Sequence, residues 1–294
     1  MSEELDARLA RIEAALQEIR SLIGPFGVPM GEGVTLVQTL YGVKFLVPTA
    51  DDVMTPNLIV YRQWEQDVSV LLLSLTDKDS VFVDVGANFG YFTCLIGSRI
   101  GAHGEGRVIA FEPNPDSLGL LHRNININWS MAPIQIVEKA ASDHEGEVRF
   151  ARPIARAANA TMLADEEAVL VDAEAITVPM TTLDTVLAPG QRVDVIKIDV
   201  EGWEFNVLRG ATRVLSENPH VKIVMEWSAK QMQDAKLSPK AFETYIRKLG
   251  FAVQDVANGQ VLPRGQIPHY ANLLLSRPAP APRARSARQR ASKT

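Results

Sequence analysis

Apolar residues recur along the chain with different periods, and the changes of period fall at recognisable breakers. Between residues 3 and 23 they stand at Leu5, Leu9, Ile12, Leu16, Ile19 and Ile23, with charged residues between them and Gly24-Pro25 at the end. Steps of four and three predict one helix with a heptad seam. So short a helix is marginal alone, and its seam needs a partner, either the body of the protein or a second copy. Residues 26–66 read as strands and a lead-in loop (TLVQTL, GVKFLVP), then an irregular piece holding Tyr61, Arg62, Trp64 and Glu65.

A helix is predicted over 66–75, and beyond it Val- and Ile-rich runs alternate with helical patterns. Strands are expected at 81–86, 107–111, 134–140, 193–199, 221–227, 251–256 and 272–276, and helices at 90–100, 115–127, 203–216 and 238–249. Continuous apolar strands separated by helices define an α/β fold with a parallel, doubly wound sheet covered on both faces. The last strand, NLLLS, follows its predecessor without a crossover helix. It therefore reads as antiparallel, a reversed seventh strand at the sheet edge. The segment 142–192 breaks the rhythm with short strands (EVRFAR, ITVPM), as an inserted lid or substrate wall does. Three parts are expected: a heptad helix at 1–24, one domain at 25–276, and a disordered Pro/Ala/Arg-rich tail at 277–294.

Charge sharpens this picture. The tail carries six of the 30 Lys and Arg residues and no acid, which leaves 24 bases against 35 acids in the body, near −11. An acidic body argues against a nucleic-acid groove. The single cysteine, Cys94, cannot form an internal disulfide. The longest apolar run, VSVLLLSL at 68–75, is too short for a membrane span, and the opening MSEELDAR has no signal-peptide pattern. A soluble, cytoplasmic protein is expected.

The chemistry starts at VFVDVGANFGYFT, residues 81–93. A strand, a glycine turn and a helix start make a place where a small polar ligand meets backbone. Gly86 would allow close approach, Gly90 would let the next helix pack tightly, and Asn88 tolerates a left-handed backbone. Backbone N–H groups at this helix start are expected to be free for a carboxylate. The second core strand, RVIAFEPN, ends in Glu112, where a carboxylate accepts both hydroxyls of a ribose. A dinucleotide site wants G-x-G-x-x-G, but Asn88 stands at the middle glycine. Asp84 in front of the turn suits the ammonium of an amino-acid ligand and offers nothing to a pyrophosphate. The pattern favours S-adenosylmethionine over NAD.

Three blocks together, VFVDVGANFGYFT, GRVIAFEPNPDSLGLLHRNININ and VDVIKIDVEGWEFNVLRGA, resemble the signature blocks of the FkbM family of S-adenosylmethionine-dependent methyltransferases. IKIDVEG followed by VLRGA is the most specific part. The resemblance implies the class I methyltransferase (Rossmann-like) fold and O-methylation of a hydroxyl on a sugar, glycan or secondary metabolite. By matching position it implies that Asp84, Gly86, Ala87, Asn88 and Gly90 contact the methionine end. Glu112 and Asn114 fall at the ribose, and the loop KAASD flanks the adenine through Ala140, Ala141 or Asp143.

In the fourth strand, VDVIKIDVEG, period two puts Lys197, Asp199 and Glu201 on one side, and the neighbouring VKIVMEW ends in Glu226. A lysine in a central strand is costly unless paired. The cluster has two chemical uses: a base that takes the proton of an acceptor hydroxyl, or a Mg²⁺ site on Asp199 and Glu226. A third possibility is a buried ion pair that only fixes strand register. Candidate acceptor walls are Tyr61, Arg62, Trp64, Glu65, Asn159, Thr161, Trp203 and Trp227. His103 and His269 have no triad pattern. The base-methylating D/N-P-P-Y/F run is absent, since D-V-E-G stands there. The competing readings are another acceptor (nitrogen, lipid or peptide), a non-catalytic adenosylmethionine-binding module, and an NAD-dependent oxidoreductase. Self-association through residues 3–23 is the expected partner interaction.

Overall fold

The computed structural model describes residues 26–153, 161–162 and 173–278, with scattered helical positions between 8 and 19. Strands β1 (Val28–Gly31), β2 (Val34–Gln38) and β3 (Lys44–Pro48) form an antiparallel sheet, followed by helices α1 (Met54–Val60) and α2 (Gln66–Leu75). The core alternates β4 (Val81–Val85), α3 (Tyr91–Ile100), β5 (Arg107–Phe111), α4 (Pro115–Ile127) and β6 (Ile134–Val137). A second sheet follows, from β7 (Ala140–Ala141), β8 (Gly146–Pro153), β9 (Thr161–Met162) and β10 (Ala173–Thr181). The short α5 (Leu183–Val186) returns to β11 (Val195–Ile198), α6 (Glu204–Arg209), α7 (Thr212–Glu217) and β12 (Lys222–Ser228). Then come α8 (Ala229–Asp234), α9 (Pro239–Lys248), β13 (Ala252–Asp255) and β14 (Tyr270–Ser276).

The main sheet has seven strands in the order β13-β14-β12-β11-β4-β5-β6. β4 pairs in parallel with both β5 and β11, so strand order reverses between β4 and β11. Ligands of open α/β sheets bind at such a reversal, beyond the carboxyl ends of the strands. Alternate β4 residues feed two cores: Val81, Val83 and Val85 join one apolar cluster, and Phe82 joins the cluster on the other face. That two-sided burial is why the strand reads as continuously apolar.

Four expectations are corrected. β14 is antiparallel as predicted, but it lies between β12 and β13 and not at the edge. The crossover through α8 and α9 overshoots by one strand, and β14 fills the gap. The helix predicted at 203–216 is two helices broken at Gly210, where a Cβ would stand 1.9 Å from the Ser142 carbonyl oxygen. The strand predicted at 134–140 stops at Val137, and Ala140–Ala141 joins the second sheet. The irregular piece before the core contains α1, a seven-residue helix hidden by its Pro and Asn.

The run NININ has a structural explanation. Buried Asn124 of α4 accepts from Leu46 N (2.7 Å) and donates to Leu46 O (3.0 Å) and Phe89 O (2.8 Å). One turn later Asn128 bonds both Lys44 N (2.9 Å) and Lys44 O (2.8 Å). Two side chains thus complete the edge of β3 and tie the first sheet to the core. In the N-terminal helix, Leu9, Ile12, Leu16 and Ile19 are each about half exposed. Leu5, Ile23 and the tail from 279 lie outside the described residues. Among the described residues no helix is long and apolar enough to cross a membrane.

Candidate active site

The turn after β4 is folded around backbone contacts. Gly86 has φ +82°, and a Cβ there would meet the Asp199 carbonyl oxygen at 1.8 Å. Its glycine is therefore demanded by the neighbouring β11 loop. Gly90 has φ +92°, a backbone that favours glycine, and a Cβ there would also press on Leu121 Cδ1 at 2.5 Å. Asn88 does adopt the left-handed backbone, at φ 52°. The amides of the turn in front of the helix are engaged within the protein. Gly86 N and Ala87 N donate to Phe111 O, Gly90 N to Ala87 O, Phe89 N to Asn88 Oδ1 and Asn88 N to Glu112 Oε2.

Glu112 is held from behind. Its Oε2 accepts from Asn88 N at 2.7 Å and its Oε1 from Asn114 N at 2.8 Å. Burial pushes this carboxyl up to about 7, against the two amides and Lys197, which pull it down. It lies on the wall of a cavity of about 270 Å³ at the β4–β11 reversal.

Across that cavity stands Lys197. Its ammonium lies 3.2 Å from Asp199 Oδ2, 3.8 Å from Asp84 Oδ1, 3.3 Å from the Gly86 carbonyl and 5.0 Å from the Phe92 ring centre. Burial alone would lower its affinity for the proton, but Asp199, Asp84 and Glu65 raise it above the ordinary value. Its two carboxylate neighbours favour the charged form of Lys197, which counts against it as the base candidate. Asp84 sits wholly buried beneath it, bonded by Thr93 Oγ1 at 2.6 Å, and burial raises its pKa.

The β11 loop is shaped by Glu204, whose Oε1 accepts from Val200 N (3.1 Å) and Gly202 N (3.2 Å). This fold of the loop puts Glu201 in the left-handed region at φ 55°, with its carboxylate bonded by Gln231 Nε2. Burial, Asp199 and Glu204 push Glu201 up to about 8. Glu226 Oε1 accepts from the Tyr270 hydroxyl at 2.9 Å, while Oε2 is buried without a hydrogen-bond partner among the described residues. Burial and then Asp199, Glu201 and Glu204 push Glu226 up to about 9.

Of the cofactor residues expected from sequence, Gly86, Ala87, Asn88, Glu112, Ala140 and Ala141 line the cavity. Lys197, Asp199, Glu201 and Glu226 line it too, from two separate places in the chain. Asp84, Gly90, Asn114 and Asp143 fall outside the lining. Asp84 is occupied by Lys197 and Thr93, and Gly90 serves helix packing. Asn114 caps α4 by accepting from Asp116 N, and Asp143 pairs with Arg209 (3.1 Å) and His144 (2.8 Å). Of the acceptor walls, Trp64 and Glu65 line the cavity. Tyr61 is exposed, Arg62 donates from Nε to Gln38 O, Trp203 packs on the second sheet, and Trp227 stacks on Phe242. Asn159 lies outside the described residues, and of Thr161 only the strand backbone is described. The sequence reading missed Met54, Lys139, Phe150 and Tyr270 as lining residues. Only an α1 recognised in advance would have signalled Met54.

The Mg²⁺ reading on Asp199 and Glu226 is not supported by the donor set. Among the described residues no group of three or more His, Cys, Asp or Glu side chains is arranged to hold a metal, and Lys197 already takes an Asp199 oxygen.

This strand order, with a cavity at its reversal, defines a class I, Rossmann-like methyltransferase fold. Residues 84–253 match the family described as the Methyltransferase FkbM domain. The chain belongs to that family of S-adenosylmethionine-dependent methyltransferases. It is similar to the hexuronic acid methyltransferase AglP of Haloferax volcanii, at 29% identity over 208 residues that cover 67% of this chain and 79% of that protein. Methyltransferase sdnD of Sordaria araneosa is 25% identical over 55% of this chain and 73% of its own length. A solved FkbM methyltransferase from Methylobacillus flagellatus KT aligns with TM-score 0.43 and 18% identity, over 68% of this chain and 44% of that longer one.

Proposed function

We propose that the protein methylates a hydroxyl of a sugar or related polyol, with S-adenosylmethionine bound in the β4–β11 cavity as methyl donor. One observation carries this reading. A clamped carboxylate at the end of β5, Glu112, faces an acidic cluster at the ends of β11 and β12 across a single cavity. With its two oxygens steadied by backbone amides, Glu112 is suited to accept both hydroxyls of a ribose. Glu65, Glu112, Asp199, Glu201 and Glu226 outnumber Lys139 and Lys197 on the cavity wall, an excess that suits a cationic donor. The donor supplies an electrophilic methyl group. The chain's part is to hold an acceptor oxygen in line with that methyl group and to relieve it of its proton. Trp64 offers a flat wall for a sugar ring, and the hexuronic acid methyltransferase among the relatives supports the same acceptor class.

Calorimetry with adenosylhomocysteine and NADH tests the donor. The homocysteine compound is expected to bind, and Glu112→Gln to weaken it about tenfold or more. Mass spectrometry on methyl glycosides incubated with adenosylmethionine tests the acceptor, with a gain of one methylene mass as the expected result. Binding of NADH in place of adenosylhomocysteine, or no mass gain on any glycoside, overturns the reading.

A further inference from the structure

Five carboxylates line the cavity, and four have a protein donor or cation within 3.2 Å. Glu112 accepts from two backbone amides, Asp199 pairs with Lys197, Glu201 accepts from Gln231, and Glu226 accepts from Tyr270. Glu65 differs. It is half-buried, no Lys, Arg or His nitrogen among the described residues lies within ion-pair distance of it, and Asn272 is near enough to pull its proton affinity down.

Its corner is held rigidly. Glu65 has φ 40°, a left-handed backbone that is uncommon for a residue with a side chain. Trp64 N donates to the Tyr91 hydroxyl (3.1 Å), Ser69 Oγ to Trp64 O (2.7 Å) and Ser69 N to Glu65 O (2.8 Å). Trp64 and Glu65 precede residues 84–253, the part that matches the family. A segment in front of the family core is thus pinned in a costly conformation that brings a carboxylate to the cavity.

We infer that Glu65 is the catalytic base that takes the proton of the acceptor hydroxyl, an inference that rests on the O-methylation reading above. As the hydroxyl oxygen forms its bond to the methyl carbon, the carbon–sulfur bond breaks with its electron pair left on sulfur. The hydroxyl proton passes to a Glu65 oxygen and then to water. Lys197 cannot take this part, because Asp199, Asp84 and the Gly86 carbonyl hold it as an ammonium. The charged and titratable groups facing Glu65 are Lys197, Asp199 and Glu201 from β11 and its loop, Tyr270 from β14 and Tyr91 from α3. Burial and then Asp199 push Glu65 up to about 7, while Lys197 and Asn272 pull it down. A base poised near neutrality is the efficient one.

The test uses the full-length protein, labelled adenosylmethionine, and methyl hexopyranosides with their uronates as probes. Glu65→Gln is expected to lower kcat about 100-fold or more. Its adenosylhomocysteine affinity should stay within about twofold of wild type. The wild-type rise of kcat/KM with pH, as Glu65 ionises, should vanish in the variant. Glu65→Ala should be partly rescued by formate, which keeps the test alive if the glutamine variant folds poorly. An active wild type with an unimpaired Glu65→Gln overturns this inference alone. So does a loss of adenosylhomocysteine affinity in step with the loss of rate, or a Glu65→Ala indifferent to formate. A wild type that binds adenosylhomocysteine but methylates none of the probes overturns the O-methylation reading, and the base with it.

Discussion

Lys197 touches two carboxylates with unequal needs. Asp199 is partly open to solvent and survives without a partner, whereas Asp84 is fully buried, with Oδ1 unbonded among the described residues except for the nearby ammonium. Removing one member of a buried pair costs about 3–5 kcal/mol, because the other is stranded. Lys197→Met is therefore expected to lower the urea midpoint sharply, and Lys197→Met with Asp84→Asn to recover much of the loss. The sequence made the pairing legible, since a lysine in a central apolar strand demands a counter-charge. It left open which carboxylate supplied it, and Asp84 reads equally well as a ligand for an ammonium. Nor did the sequence show that Asp143, expected near the adenine, would pair with Arg209 and His144.

At the scale of elements, α4 joins the first sheet to the core through Asn124 and Asn128. Asn124→Ala strands Leu46 N–H, Leu46 C=O and Phe89 C=O in a buried place, each costing about 1–3 kcal/mol. Asn128 sits where water can replace it. Chemical denaturation should show a large loss for Asn124→Ala and about 1 kcal/mol or less for Asn128→Ala. Elements with a long period or a strong cap were legible: α2 and α4 fall where the pattern put them. α1 was not, because seven residues with a proline hold too little periodicity. The place of β14 was not legible either. Strand direction follows from the length of a connection, but lateral position depends on how far the preceding crossover travels.

Over the whole molecule, the cavity and the β11 loop behind it gather acids whose proton affinity rises on folding. Burial pushes Glu65, Glu112 and Glu204 up to about 7, Glu201 to about 8 and Glu226 to about 9, all from 4.5. Between those limits the folded state holds more protons than the unfolded chain, so stability falls as pH rises. These groups contribute their full stability below about pH 4.5 and lose it progressively as pH passes through 7 to 9. The ligand-free protein should thus melt at a lower temperature at pH 8.5 than at pH 5.5, by scanning fluorimetry. Adenosylmethionine, a cation, favours the ionised carboxylates and should raise the melting temperature more at the higher pH. A pH-independent ligand effect would place the donor away from this cluster.

By itself the sequence determined the seven strands of the main sheet in their chain order, the glycine turn at 86–90 and the acid that ends β5. Those features rest on local periodicity, backbone conformation and short-range hydrogen bonds, all written within a few residues. Only the tertiary structure decided which charges meet. Glu65, Asp199, Glu226 and Tyr270 come from four separate segments. Whether each carboxyl keeps its proton depends on burial and on neighbours distant in the chain. The reason is physical: a side chain's identity is local, but its electrostatic environment is set through space.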